Sequence, residues 1–271
     1  MWTRDGADRH EEEAMVSTER ADGTGPAEGE HTPDHEQDPA EGHKASVPER
    51  AAQTAGDLLE AVKPKLRGWL HLGTAPLALA AGIVLVALSP TAPAMAAAAV
   101  YALSSVLLFS TSAVYHVGRW SPRGQRVLRR MDHSNIYLII AGTYTPFIVL
   151  VLDGTLRTAM LALVWGGAIA GVAFKLLWLN APRWLSTALY LAIGWVAVLF
   201  VPELVGGTNP ATWILILVGG VLYSVGAVVY GLKWPDPAPR WFGFHEIFHS
   251  LTIAAFVCHY IAVSFVVYTA I

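Results

Sequence analysis

Charge is scarce in this sequence and cysteine is nearly absent, and both shortages narrow what the chain can be. Only 14% of its 271 residues are Asp, Glu, Lys or Arg, against 54% hydrophobic residues, a balance too apolar for an ordinary water-soluble fold. The single cysteine, Cys258, lies in an apolar run without a partner in the chain. That excludes an intramolecular disulfide framework and a cysteine-built zinc ribbon. Segments of about ten strictly alternating residues are missing too, which excludes a membrane β-barrel. Acids are rare outside the N-terminal region: the first fifty residues hold 14 Asp or Glu against 5 Lys or Arg, the remainder 7 against 13. The net charge of -3 is therefore an average over an acidic segment and a basic, apolar body, and it gives no sign of a nucleic-acid partner.

Residues 1–55 are rich in Glu, Asp, Gly, Pro and Ala, show no apolar periodicity, and are expected to form a disordered acidic tail. They lack the basic start and apolar stretch of a secretory signal. Four histidines there, His10, His31, His35 and His43, have no helical ligand spacing and read as solvated residues. Residues 56–68 gather Lys63, Lys65 and Arg67 beside Leu58, Leu59 and Val62, which predicts a short interfacial segment at the membrane surface.

Residues 69–271 repeat one pattern, an apolar run of about twenty residues followed by a short connector rich in Pro, Gly, Asn or Arg. Seven runs are expected to cross the membrane: Trp69 to Leu88, Ala94 to Val117, Asn135 to Leu152, Thr158 to Trp178, Leu185 to Val201, Thr212 to Leu232, and Phe244 to Ala270. The fold class is thus all-α, a seven-transmembrane helix bundle in a multi-pass protein of the cell membrane, with membrane lipids as its surroundings. Lys and Arg in short loops orient it. Arg119, Arg123, Arg126, Arg129 and Arg130 lie between the second and third runs, Lys175 and Arg183 flank the fourth-to-fifth connector, and Lys233 and Arg240 lie between the sixth and seventh. All fall on the side of Lys63, Lys65 and Arg67, while the other side shows Arg157, so the N-terminus is expected in the cytoplasm and the C-terminus outside. Gly167 and Gly171 in the fourth run read as close helix packing.

Polar groups inside apolar runs are costly and need a reason. Ser112 and His116 stand four apart at the end of the second run, hence on one helix face. Asp132 and His133 are expected to open the third helix, and His245, Glu246 and His249 open the seventh. Under the topology above, Ser112, His116, Asp132, His245, Glu246 and His249 all come to cytoplasmic helix ends. Three imidazoles with one open position form a recognised catalytic zinc set, in which the metal lowers the pKa of water toward about 7 and a nearby carboxylate carries the proton. A lone histidine at a helix end is ordinarily just hydrogen-bonded, and His71, His133 and His259 are read that way; two i, i+4 pairs meeting at one depth favour the metal. The HEIFH stretch also matches the H-E-x-x-H motif, in which Glu246 would be the base of an intramembrane peptidase. Thr252 and Ala255 stand where the longer metzincin motif would have Gly and His.

The S-x-x-x-H at Ser112 and His116, the DHSNIY run from Asp132, the GTYTPF run from Gly142 to Phe147, the H-E-x-x-H from His245 and the RGWLHLGTAPLALAAG stretch from Arg67 to Gly82 resemble the haemolysin III family. That family is the bacterial branch of the progestin and adiponectin receptor superfamily. The resemblance implies that His116, His245 and His249 bind zinc on the cytoplasmic side, with Ser112 and Asp132 beside the metal. It also implies hydrolysis of an amide bond in a membrane lipid, as in alkaline ceramidases. A receptor-like regulator of membrane homeostasis is the alternative; pore formation, as the family name suggests, ranks third, although the uniformly apolar runs do not suggest a wide aqueous lumen.

Overall fold

Each expected run becomes a helix because its apolar residues occupy every face, which suits a helix surrounded partly by protein and partly by lipid. The computed structural model describes residues 66–178 and 180–270; the tail at 1–55, its four histidines and most of the 56–68 segment lie outside the described residues. In chain order come α1 (Trp69–Ala87), α2 (Ala92–Val117), α3 (Pro122–Val151), α4 (Gly154–Leu177), α5 (Arg183–Gly194), a 3₁₀ turn (Val196–Phe200), α6 (Val201–Gly207), α7 (Pro210–Leu232) and α8 (Phe244–Tyr268). Taken as one span, α5, the 3₁₀ turn and α6 complete a set of seven helical spans long and apolar enough to cross a membrane. Large apolar side chains such as Leu77, 70% exposed, and Ile169, 64% exposed, form an outer surface that only lipid would cover without penalty.

Two spans depart from the expected bounds, each for a local reason. Helix α3 starts at Pro122 rather than near Asp132, because Ser121 caps it by accepting a hydrogen bond from the Gly124 N–H at 3.3 Å and Pro122 occupies the first turn. The arginine-rich stretch expected as a loop is thus mostly the first turns of a long helix, and Asp132 and His133 sit about three turns in. The fifth span is broken after Gly194, freeing backbone groups that lipid cannot satisfy. Tyr144 of α3 repairs the break: its hydroxyl donates to the Gly194 carbonyl at 2.5 Å and accepts from the Ala197 N–H at 3.0 Å.

Helix α3 is the centre of the bundle, with 61% of its most apolar window buried against 17–22% for α1, α4, α7 and the broken fifth span. Its neighbours are α2, α4, α5, α6 and α8, and α8 also packs on α1, α2 and α7. Gly171 explains one close approach, since a Cβ there would meet the Tyr137 ring at 2.3 Å. Packing thus accounts for Gly171, as the spacing of Gly167 and Gly171 suggested. At Gly68, a φ of +88° and the His116 Cβ, 2.7 Å from a would-be Cβ, both require glycine. Its tight turn brings the start of α1 directly against the end of α2.

Candidate metal centre

The end of the bundle where α1 begins, α2 ends and α8 begins collects the histidines. His116 lies in the last turn of α2, and His245 and His249 occupy successive turns of α8. Each offers a nitrogen, and the three nitrogens lie within 4.8 Å of one another. The Nε2 atoms of His245 and His116 are 3.2 Å apart. Ligand arms of about 2.0–2.1 Å in a tetrahedron put neighbouring nitrogens roughly 3.3 Å apart, a spacing the His245–His116 pair already has. His116 and His249 are buried and His245 is half-buried, which leaves the set open on one side. Among the described residues, this buried cluster could hold a metal ion.

The carboxylates divide sharply. Asp132 Oδ2 lies 3.9 Å from His116 Nε2 and 3.5 Å from His133 Nδ1, and Ser112 lines the same cavity wall as this carboxylate. Glu246, adjacent in sequence to a candidate ligand, is turned elsewhere. One of its oxygens accepts the Gly243 N–H at 2.8 Å, satisfying a backbone donor at the start of α8, and the other accepts from Arg67 Nε at 3.3 Å. Its side chain is 1% exposed, and both oxygens are engaged in joining α8 to the segment before α1.

His133 is likewise committed. A carbonyl only accepts, so its Nδ1 donates to the Arg129 carbonyl at 2.9 Å, leaving Nε2 to accept from the Tyr230 hydroxyl at 3.3 Å. His259 Nε2 donates to the Ile216 carbonyl at 3.1 Å, ten residues and about 15 Å of helix beyond His249. Both behave as the hydrogen-bonded residues expected from the sequence. His71 does not. It is 2% exposed, its ring stacks on that of His249 at 3.8 Å and 7° between planes, and neither ring nitrogen has a hydrogen-bond partner among the described residues. Sequence reasoning passed over it because a lone histidine with no partner at i+4 gives no local signal.

His71, Ser112, Asp132, His245 and His249 share the wall of one cavity of about 380 Å³. From there the cavity continues between α3, the broken fifth span, α7 and α8, past Phe147, Trp213 and Leu204, through mostly apolar walls. The volume is that of a site for a small molecule or a segment of a larger one.

Fold and site together define a multi-pass helical membrane protein with a three-histidine donor set at the head of an apolar cavity. The family model described as "Haemolysin-III related" matches residues 59–260, from before α1 to most of the way along α8. The chain belongs to the haemolysin III family, within the progestin and adiponectin receptor superfamily. It is 38% identical over 140 residues to Hemolysin-3 of Bacillus cereus, a match covering 52% of this chain and 64% of that protein. It is 34% identical over 166 residues to a Hemolysin-3 homolog of Bacillus subtilis, covering 61% of this chain and 75% of the relative. Similarity extends to the human monocyte to macrophage differentiation factor, 25% identical over 168 residues, or 60% of this chain and 67% of that one.

Proposed function

We propose that this protein is a zinc-dependent hydrolase that cleaves an amide bond in a membrane lipid, with its metal site facing the cytoplasm. The observation that carries the reading is that His245 and His249 of the three-histidine set line a largely apolar cavity together with Asp132, whose carboxylate lies 3.9 Å from the third histidine, His116. His116, His245 and His249 would hold the metal. Three neutral imidazoles suit zinc, and calcium or magnesium would ask for oxygen ligands instead. Zinc there would supply Lewis acidity and an acidified water.

The chain's own residues would do the rest. The apolar cavity takes the acyl chain and brings the amide to the histidine end. Asp132, on the cavity wall beside Ser112 and 14% exposed, accepts the proton of the attacking water. Water oxygen bonds to the carbonyl carbon, the C–N bond breaks, and the proton on Asp132 passes to the departing nitrogen, giving a fatty acid and an amine. Ser112 is assigned to orienting the carboxylate, and Glu246 to structure.

The test is direct. Purified full-length protein in lipid nanodiscs is expected to release free fatty acid from an N-acylated sphingoid lipid, to lose that activity when stripped with a strong chelator, and to regain it with stoichiometric zinc. A zinc-replete protein that releases no fatty acid from any N-acyl lipid in such an assay supports the receptor-like reading instead.

The cytoplasmic assignment rests on the Lys and Arg distribution and has its own check. An impermeant thiol reagent applied to intact cells is expected to miss a cysteine placed at Gly124 and to label one placed after Ile271. Labelling in the reverse pattern would put the histidines on the outer face.

A further inference from the structure

Of all the polar groups in the bundle, His71 is the hardest to explain as packing. A neutral imidazole always carries one N–H donor and one bare nitrogen acceptor. At His71 both are buried without a hydrogen-bond partner among the described residues, although burying even one such group unpaired costs about 1–3 kcal/mol. A phenylalanine would fill the same slot, stacked on His249 and edge-on to Phe109 at 5.1 Å between ring centres, without that penalty. Buried polar groups retained at such a cost call for a partner that arrives with function.

The position of the ring says which partner. His71 lies on the cavity wall in face-to-face contact with His249, yet it is not part of the group whose nitrogens lie within ligand spacing of one another. It is therefore beside the metal centre and not in it. Asp132 approaches the same centre through His116 and His133, whereas His71 approaches through His249 and Phe109. The histidine cluster is thus flanked by a carboxylate, which can only accept when ionised, and by an imidazole, which can donate. Those are the two polar roles a carbonyl substrate attacked by water requires: an acceptor for the water's proton and a donor for the carbonyl oxygen as it gains negative charge.

We propose that His71 is a catalytic residue whose ring N–H donates a hydrogen bond to the carbonyl oxygen of a group held at the three-histidine centre. This rests on the hydrolase reading for its catalytic consequence, although not for the contact itself. The donor is the neutral ring and needs no change of protonation. A ligand presenting a carbonyl or carbonyl-like oxygen at the head of an alkyl chain would meet that donor while its chain lies along the apolar cavity.

The experiment uses full-length protein in nanodiscs with cobalt(II) in place of zinc, so that the metal's visible spectrum reports on its ligands without turnover. Dodecanohydroxamic acid is the probe. Wild type and His71→Phe are expected to show the same spectrum before the probe is added, because the flat ring on His249 is kept. His71→Phe is then expected to bind the hydroxamate at least tenfold more weakly, and His71→Asn, which restores an N–H, to recover part of the difference. On the zinc enzyme, loss of one oxyanion donor of this kind lowers kcat by about 10²–10³, with KM little changed. Should His71→Phe fail to fold, His71→Leu takes its place, read by hydroxamate affinity alone, since Leu does not keep the ring stacked on His249. Unchanged hydroxamate affinity in the Phe variant would overturn the proposal. So would an altered cobalt spectrum before the probe is added, since His71 would then merely be orienting His249. Tight, His71-dependent hydroxamate binding with no hydrolysis of any N-acyl lipid would leave the contact standing and remove the hydrolase.

Discussion

Asp132→Asn is expected to abolish metal-dependent hydrolysis while leaving zinc bound, with kcat falling about 10²–10⁴-fold, the range a positioned general base contributes. The carboxylate is 3.9 Å from His116 Nε2, close enough to take a proton from a water at the cluster, and it is not among the mutually close donor atoms of His116, His245 and His249. An amide of the same shape cannot accept that proton. Glu246→Gln is expected to behave oppositely. Hydrolysis should stay within about tenfold of wild type, because the carboxylate caps α8 and pairs with Arg67 and does not face the histidines. Its loss should appear instead as a lower unfolding temperature in detergent, since a charge-assisted bond of this sort contributes about 1.5–3 kcal/mol. Steady-state rates and zinc content of the two variants, measured side by side, decide the matter. A dead Glu246→Gln with an active Asp132→Asn would reverse the roles and make an H-E-x-x-H peptidase the better description.

Zinc content carries the second large effect. About one zinc per chain is expected after purification without added metal, falling to near zero in His116→Ala, His245→Ala or His249→Ala. Removing one of three ligands should weaken binding beyond the 10–100-fold seen when only a residue supporting a ligand is changed. His133→Ala and His259→Ala should retain the metal, because each ring nitrogen that bonds in them is spent on Arg129, Tyr230 or Ile216. Ser112→Ala should retain it too. Elemental analysis of this set against protein concentration is sufficient, and equal zinc across all variants would dispose of the three-histidine site.

Much of this architecture was readable from one dimension because the membrane imposes a local rule. Every backbone polar group must be satisfied within its own segment, so a run of about twenty apolar residues has one outcome, and seven such runs gave seven spans. The candidate ligands were readable for a related reason. Residues four apart share a helix face, and alternating direction in the membrane returns every second helix end to the same depth, so Ser112, His116, His245 and His249 could be brought together before any packing was known. Helix starts were less readable. Pro122 and the Ser121 cap extend α3 over the basic stretch, because arginines favour a helix as readily as a loop once a cap is present.

What depended on packing is the identity of the groups around the cluster. Nothing in the HEIFH stretch reveals that Glu246 turns back to Gly243 and Arg67, whereas Asp132 was already expected at the helix ends that carry His116; its 3.9 Å approach follows from the packing of α2 and α3. His71 is the plainest case. Its meaning lies in a ring 178 positions away, stacked at 3.8 Å, and in two nitrogens left without partners. Periodicity reports which face of a helix a residue occupies, and so the composition and spacing of this chain settled its spans and its candidate ligands. Which face meets which is set by close contacts between helices, such as Gly68 on His116 and Gly171 on Tyr137, and those contacts turn Glu246 away from the histidines and set His71 beside them.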